Sequence, residues 1–285
     1  MKCSVQYAFA CILVLAGGTH SSIESGTQGT VVFVEVLKDE IVFVADSRVT
    51  AKSRDGGGGA FHMDNDCKLT AFENDAIFAS SGARHYTFVD EGKPNTWDSH
   101  EVAQEAIRLG RIPQGEDTVV AFAAKYWAAR AKSFFQIAYD IKPSDFPHNI
   151  DIVNGAFASR DKTGQFSAYT VRITPEDGPA NSKKQVIVSV TKPLVKWAIF
   201  SYPPVIQEFM ALESTRSREE ATKWGKGLPR NITEEEFGER LAIQLVQWTI
   251  DFTDNPMIGG DVNAVVLDRK GIRWPVQKEY CRNAK

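Results

Sequence analysis

Apolar and polar residues near the start of the chain form short groups that predict strands. Two apolar segments between Val31 and Thr50 flank a charged turn at 38–40, and a second pair covers 68–71 and 76–82. Short apolar runs separated by polar turn residues are typical of β-hairpins. The sequence therefore predicts two hairpins in the first part of the chain.

Apolar residues with helical spacing follow the two hairpins. A capping box at 98–101 and a glycine at 110 predict a first helix, and a longer helix is predicted over about 117–138. A second capping box, at 233–236, predicts the start of another helix. The remaining segments predict a helix over 205–213 and strands over 152–159, 165–173, 186–190, 197–201, 262–267 and 272–276.

The order of these elements bears on the fold class. Strands and helices that occur in separate groups indicate an α+β fold rather than a parallel sheet of alternating strands and helices. The sequence contains no internal repeat and no interdomain linker. We therefore expect one domain of two packed sheets with helices outside them.

The first 29 residues differ in pattern from the rest. Lys2 precedes an apolar run of roughly ten residues, which ends in the small residues of 16–18, as in a secretory signal peptide. This run is shorter than the ~20 residues of a membrane-spanning helix, although an uncleaved anchor or a misassigned start is the alternative. We expect a signal peptide at 1–18, a propeptide or linker at 19–29 and one domain at 30–285. The protein would then be secreted or periplasmic and would have no membrane span.

Composition narrows the possible partners. Hydrophobic residues make up 43% of the chain and charged residues 24%, so an ordinary globular core can form. The net charge is −3 and no block of Lys and Arg occurs, which argues against a nucleic-acid partner. The glycines at 56–59 are not followed by the Gly-Lys-Ser/Thr of a phosphate loop, and we predict no cofactor.

Histidines and cysteines give no metal-site pattern. The spacing between histidines and cysteines does not match that of metal ligands, so we predict no metal and expect surface or loop positions for His62, His85, His100 and His148. Two cysteines follow the predicted signal peptide, Cys67 and Cys281. In an oxidising compartment they could pair, and two free, buried thiols are the alternative.

Thr30 opens the first predicted strand and Asp46 ends the second, so the hairpin would bring them side by side. A threonine can act as a nucleophile once it is the first residue of a chain, because its own α-amine then serves as the base. That chemistry requires cleavage after Gly29. A cation at Lys68 would lower the pKa of the hydroxyl, and the backbone N–H of Gly82 could hold the oxyanion.

Each of these residues also has an ordinary structural interpretation. Thr30 would be a β-branched residue that opens a strand, and Asp46 would cap a turn with Arg48 as its surface partner. Lys68 would be a solvated lysine at the start of a strand. Gly82 would be the turn before a loop.

The stretch from Thr30 to Ala83 resembles a proteasome β-type subunit, a member of the N-terminal-nucleophile hydrolases. A Gly-Thr junction and the motif Ala-Asp-Ser-Arg-x-Thr match the family, with the aspartate sixteen residues after the threonine (46 − 30 = 16). The glycine follows the lysine by fourteen residues (82 − 68 = 14), and 259–262 more weakly resembles the Gly-Gly-x-Val of the family. The resemblance implies a four-layer αββα sandwich of two antiparallel sheets flanked by helices.

The resemblance also implies an activity, that of a threonine-type peptide or amide hydrolase, and a possible homo-oligomer. It implies catalytic roles for Thr30, Asp46, Lys68 and the backbone N–H of Gly82. It implies a substrate pocket that includes Val49, Thr50, Asp66, Ser80 and Arg84, although Asp66 and Arg84 could instead pair with each other.

The chain departs from the family pattern in two places. Ser201 lies near the position of a family serine that is flanked by glycines, and those glycines are absent. Asp254 could serve as the family aspartate that precedes the glycine pair, and the serine that accompanies it is absent. Both groups support the proton handling of the amine. These departures leave two alternatives to a threonine protease: a non-catalytic binding or assembly module, and an amidase that acts on small molecules.

Overall fold

The structure is a computed structural model that describes residues 30–52, 60–64, 66–112, 118–146, 150–161, 163–176, 185–191, 196–200 and 204–282. For Val49–Lys52, Ala60–Met63, Thr191 and Arg282 the description covers the backbone alone. The predicted signal peptide and propeptide lie outside the described residues.

Within the described ranges the chain forms strands and helices in alternating groups. The strands are β1 Val32–Val36, β2 Glu40–Asp46, β3 Val49–Lys52, β4 Ala60–Met63, β5 Leu69–Phe72, β6 Ala76–Gly82, β7 His85–Asp90, β8 Lys93–Asp98, β9 Val153–Arg160, β10 Phe166–Glu176, β11 Gln185–Thr191, β12 Trp197–Phe200, β13 Val262–Asp268 and β14 Gly271–Val276. The α-helices are α1 Ser99–Gly110, α2 Val119–Ile141, α3 Pro204–Ala211, α4 Thr215–Lys226, α5 Glu234–Phe252 and α6 Glu279–Arg282, with a 3₁₀ turn at Pro143–Asp145.

Ten of the strands form two five-stranded sheets in which all pairs are antiparallel. The first sheet has the order β12-β1-β2-β13-β14, and the second has the order β11-β10-β9-β6-β5. The hairpins β3–β4 and β7–β8 form two small additional sheets. The predicted α+β class with two antiparallel sheets is thus confirmed.

Three apolar cores hold these layers together. The inner core lies between the two sheets and includes Phe43 of the first sheet and Ile77 of the second. A second core packs α1 and α2 against the outer face of the second sheet, around Trp127. A third core packs α3, α4 and α5 against the outer face of the first sheet, around Trp248. The layers therefore follow the order helix, sheet, sheet, helix.

Two helices begin with the side-chain caps that the sequence predicts. Thr233 and Glu236 form the predicted capping box at the start of α5, with each side chain accepting from the backbone N–H of the other residue. Asp98 caps α1 by accepting the N–H groups of His100 and Glu101. These contacts satisfy N–H groups that have no partner within the helix.

Several described elements had no sequence prediction, among them the helix α4 and the hairpin β7–β8. The helix α4 is polar almost throughout and buries only the small residues Ser217, Ala221 and Gly225, so it lacks an apolar stripe. The hairpin β7–β8 is largely exposed and turns at Glu91 and Gly92, which both have positive φ. Each element contributes only a few apolar side chains to the cores, too few to produce a hydrophobic period in the sequence.

Cys67 and Cys281 form a disulfide, which decides between the two alternatives that the sequence left open. Both cysteines are buried, with exposed fractions of 3% and 5%. The bond joins the segment before β5 to α6 at the end of the described chain. In the described part of the chain, no helix combines the length and the apolar character needed to cross a membrane.

Candidate active site

Antiparallel pairing of β1 with β2 places Thr30 next to Asp46. Val32 lies opposite Ala45 in the register, so the ends of the two strands meet. The N–H of Asp46 donates to the carbonyl of Val31 at 3.2 Å, and the N–H of Val31 donates to Asp46 Oδ1 at 2.9 Å. The hairpin thus brings the hydroxyl and the carboxylate together, as its pattern predicted.

Lys68 reaches this pair from the opposite sheet. It precedes β5, and its carbonyl accepts the N–H of Ser80 at 3.2 Å. Its Nζ donates to Thr30 Oγ1 at 2.9 Å and to Asp46 Oδ1 at 2.8 Å. The exposed fractions of Thr30, Asp46 and Lys68 are 7%, 0% and 3%. The structure therefore joins the three predicted residues in one buried cluster.

A glycine loop holds the second oxygen of Asp46. The N–H of Gly259 donates to Asp46 Oδ2 at 3.1 Å, so the carboxylate accepts two backbone N–H groups and one lysine. The next residue, Gly260, has φ +76° and lies against Ser47 Oγ, so any side chain there would both strain the backbone and collide. The Gly-Gly pair singled out by the resemblance therefore contacts the site directly.

Arg48 fixes this loop instead of pairing with Asp46. Its guanidinium binds both oxygens of Asp64, at 2.6 and 2.9 Å, and donates to the carbonyls of Pro256 and Ile258. Its backbone N–H donates to the carbonyl of Gly259 at 3.1 Å. The ordinary structural alternative, in which Arg48 is the surface partner of Asp46, does not hold, because the guanidinium extends towards the loop that carries Gly259.

Burial controls the electrostatics of the cluster. It lowers the pKa of Lys68 below its ordinary value, and the negative charge of Asp46 opposes that shift. Burial also raises the pKa of Asp46, which Lys68 and the two backbone N–H groups oppose. Desolvation disfavours the charged form of each residue, so the pKa values of the lysine and the carboxyl group shift towards each other. Such a setting suits proton transfer at the hydroxyl of Thr30.

Gly82 ends β6 of the same sheet as β5 and lies opposite Val153 in the register. It has φ +83°, in the left-handed region that favours glycine. Its carbonyl accepts the N–H of Arg84 at 2.8 Å. A tight turn thus follows the residue that we expected to hold the oxyanion.

The predicted pocket residues whose side chains the structure describes fall into two groups. Asp66 and Arg84 form an ion pair, which was one of the two possibilities, and Arg84 also donates to the carbonyl of Cys67 at 2.7 Å. Ser80 Oγ contacts His100 Nε2 at 3.0 Å and accepts from Ser99 Oγ at 3.0 Å, so this side chain faces α1. The side chains of Val49 and Thr50 are outside the described residues.

Sequence reasoning misplaced His100. It was expected at the surface or in a loop, but it lies in the first turn of α1 and is partly buried. One ring nitrogen contacts Ser80 Oγ and the other contacts Thr70 Oγ1. Burial, followed by the charge of Arg84, lowers the pKa of His100 well below its ordinary value. The signal that could have located it is its place in the first turn of a helix whose apolar face packs on the second sheet.

Asp254, one of the two residues proposed to support the amine, is not part of the observed cluster. Asp254 is exposed after α5, where its charge acts on Arg216. Ser201 is outside the described residues. His85 is exposed and pairs with Asp98, in agreement with its predicted surface position. In the described ranges, no three His, Cys, Asp or Glu side chains are grouped in a way that could hold a metal ion.

Comparison with known proteins adds no assignment. No protein-family model matches the chain, and no curated protein matches it with significance.

Proposed function

We propose that the protein is a threonine-type peptide or amide hydrolase in which Thr30 is an N-terminal nucleophile. The observation that carries this proposal is the position of Lys68 Nζ, which donates to both Thr30 Oγ1 and Asp46 Oδ1 in a buried cluster. A solvated lysine at the start of a strand would not need a buried carboxylate and a hydroxyl as its two partners. The contact crosses from one sheet to the other and joins residues 38 positions apart.

The chemistry begins with self-cleavage after Gly29, which frees the α-amine of Thr30. Thr30 Oγ1 attacks the carbonyl carbon of the substrate, and the amine takes the hydroxyl proton. The ammonium of Lys68, held by Asp46, lowers the pKa of the hydroxyl by stabilising its anion. The backbone N–H of Gly82 holds the oxyanion. The C–N bond then breaks, the amine product leaves with the proton, and water hydrolyses the ester on Thr30.

The fold and the disulfide support two further parts of the proposal. Two antiparallel sheets between helix layers suit the N-terminal-nucleophile hydrolase fold that the resemblance implies. The buried disulfide is typical of proteins from oxidising compartments, which supports export through the predicted signal peptide. We propose that the mature enzyme begins at Thr30 and acts outside the reducing cytosol.

A mass measurement combined with active-site labelling tests the proposal. The exported protein should begin at Thr30, and a peptide epoxyketone, which reacts with a free α-amine and its neighbouring hydroxyl together, should add to that residue. The variant Thr30→Ala should keep Gly29 and take no label. Thr87→Ala, which removes an exposed hydroxyl from the β7–β8 hairpin, is the matched control and should behave as the wild type. An uncut Gly29–Thr30 bond in folded, exported protein would refute the proposal.

The position of Asp254 favours one alternative, a non-catalytic binding or assembly module. Asp254 was one of the two candidates for supporting the amine, and it lies exposed near Arg216 instead. This alternative predicts an intact Gly29–Thr30 bond and no labelling. If the protein is cut and labelled, a panel of peptide and small amide substrates distinguishes a protease from an amidase. Size-exclusion chromatography of the same sample tests for the homo-oligomer that the resemblance implies.

A further inference from the structure

The disulfide lies next to the candidate site along the chain. Cys67 directly precedes Lys68, and its partner Cys281 belongs to α6. Three hydrogen bonds also hold the backbone at 66–68: Asp66 N–H to the carbonyl of Ser47, Arg84 to the carbonyl of Cys67, and Ser80 N–H to the carbonyl of Lys68. The disulfide is the one covalent tie among these contacts.

Cys281 lies in a segment that is also fixed to the other sheet. Asn263 of β13 is 1% exposed, its Oδ1 accepts the N–H of Lys278 at 3.1 Å, and its Nδ2 donates to Tyr280 Oη at 3.1 Å. In the register of the first sheet, Asn263 lies opposite Ala45, and its neighbour Val262 lies opposite Asp46. We call residues 278–281 the C-terminal clasp.

The C-terminal clasp connects the same two sheets that meet at the candidate site. Asp46 and Thr30 belong to the first sheet, and Lys68 enters from the second. The inner core between the sheets is apolar, and apolar contacts are not directional, so they do not by themselves fix how far one sheet slides on the other. The clasp is bound to the residue before Lys68 on one side and to the strand beside Asp46 on the other.

We propose that the C-terminal clasp, through Cys67–Cys281 and Asn263, is a positioning element that sets the distance from Lys68 to Thr30 and Asp46. The residues of the clasp do not touch the reacting atoms; they act through Lys68. This inference rests on the proposed function of Thr30, since a distance matters to catalysis only where there is a reaction. A misplacement of about 1 Å can lower a rate by about 100-fold, so a loosened clasp should lower kcat.

The test compares three variants with the wild type. Cys67→Ser/Cys281→Ser removes the covalent tie, and Tyr280→Phe keeps the disulfide but removes the hydrogen bond with Asn263. Phe135→Leu creates a defect in the core between α2 and the second sheet, and serves as the control for lost stability. Each variant is measured for Tm, for kcat and KM on a peptide amide, and for hydrogen–deuterium exchange in the peptide 66–72.

The proposal expects a specific combination of results. The double variant should lose about 10-fold or more in kcat, KM should stay within about 2-fold, and exchange at 66–72 should be faster. Phe135→Leu should lower Tm while kcat and the exchange at 66–72 stay as in the wild type. If the double variant does not fold, Tyr280→Phe tests the positioning role instead. It should show a smaller fall in kcat and faster exchange at 66–72.

Two results would overturn the positioning role. One is a wild-type kcat in the folded double variant, whatever its Tm. If the double variant does not fold, a wild-type kcat in Tyr280→Phe has the same meaning. The other is unchanged exchange at 66–72. A wild-type protein with an uncut Gly29–Thr30 bond and no activity would instead refute the proposed function. In that case the exchange measurement still shows whether the clasp holds the segment of Lys68.

Discussion

Replacing Lys68 with methionine removes the cation that neutralises Asp46. The carboxylate has an exposed fraction of 0%, so water cannot replace the lost partner without a rearrangement. Removal of one member of a buried ion pair typically costs about 3–5 kcal/mol, because an unpaired charge remains in the interior. Asp46 keeps the N–H groups of Val31 and Gly259, and a hydrogen bond to a charged group contributes about 1.5–3 kcal/mol. We therefore expect the lower end of the range, a loss of about 3 kcal/mol in the free energy of unfolding at pH 7.

The loss of stability in Lys68→Met should depend on pH, because Asp46 is buried. Without Lys68, burial holds the pKa of Asp46 in the folded state above that in the unfolded chain. A carboxyl group of this kind favours the folded state below its unfolded pKa, near 4, and destabilises it as the pH rises through the folded pKa. The difference in stability between Lys68→Met and the wild type should therefore be smaller at pH 4 than at pH 7.

Urea unfolding of four variants measures these effects. Asp46→Asn/Lys68→Met removes the buried charge along with its partner and should recover more than about 1 kcal/mol of the loss. Lys223→Met is the matched control, because Lys223 is 80% exposed and its ion pair with Glu220 should contribute less than about 1 kcal/mol. If Lys68→Met costs no more than Lys223→Met, or if Asp46→Asn and Lys68→Met are additive, the account of the buried cluster is wrong.

Two further predictions concern the first sheet and the glycine loop. Burial, and to a smaller extent the charge of Glu40, raises the pKa of Glu35 from 4.5 to about 8. The free energy of unfolding of the wild type should therefore fall as the pH rises between these two values, by at most about 1.4 kcal/mol per pH unit. In urea unfolding, Glu35→Gln should remove that slope and should be more stabilising at pH 8 than at pH 5. An equal effect at both pH values would contradict a raised pKa for Glu35. Gly260→Ala should cost more than the ~1–3 kcal/mol of backbone strain alone, because its Cβ would also meet Ser47 Oγ. Gly164→Ala, with φ +86° and open space around it, isolates the strain, so equal losses in Tm for the two variants would show that the collision is absent.

The sequence by itself determined the elements whose signals are local. Short apolar runs around a charged turn located β1 and β2, and the capping box placed the start of α5 at Thr233. The resemblance to proteasome β-type subunits, with its spacings from Thr30 to Asp46 and from Lys68 to Gly82, singled out the candidate residues. The strand and capping signals act over a few residues, so they do not depend on how distant segments pack.

The tertiary structure alone decided which distant residues meet. The contact of Lys68 with Thr30, the N–H of Gly259 on Asp46, and the bond between Cys67 and Cys281 each join segments that are far apart in sequence. The same holds for His100, which contacts Thr70 and Ser80 only because α1 packs on the second sheet. The local pattern around a residue predicts which helix or strand it belongs to and which face of that element it occupies. The partner it finds on that face depends on the register of the sheets and on how one sheet lies over the other, and both are set by the packing of the whole chain.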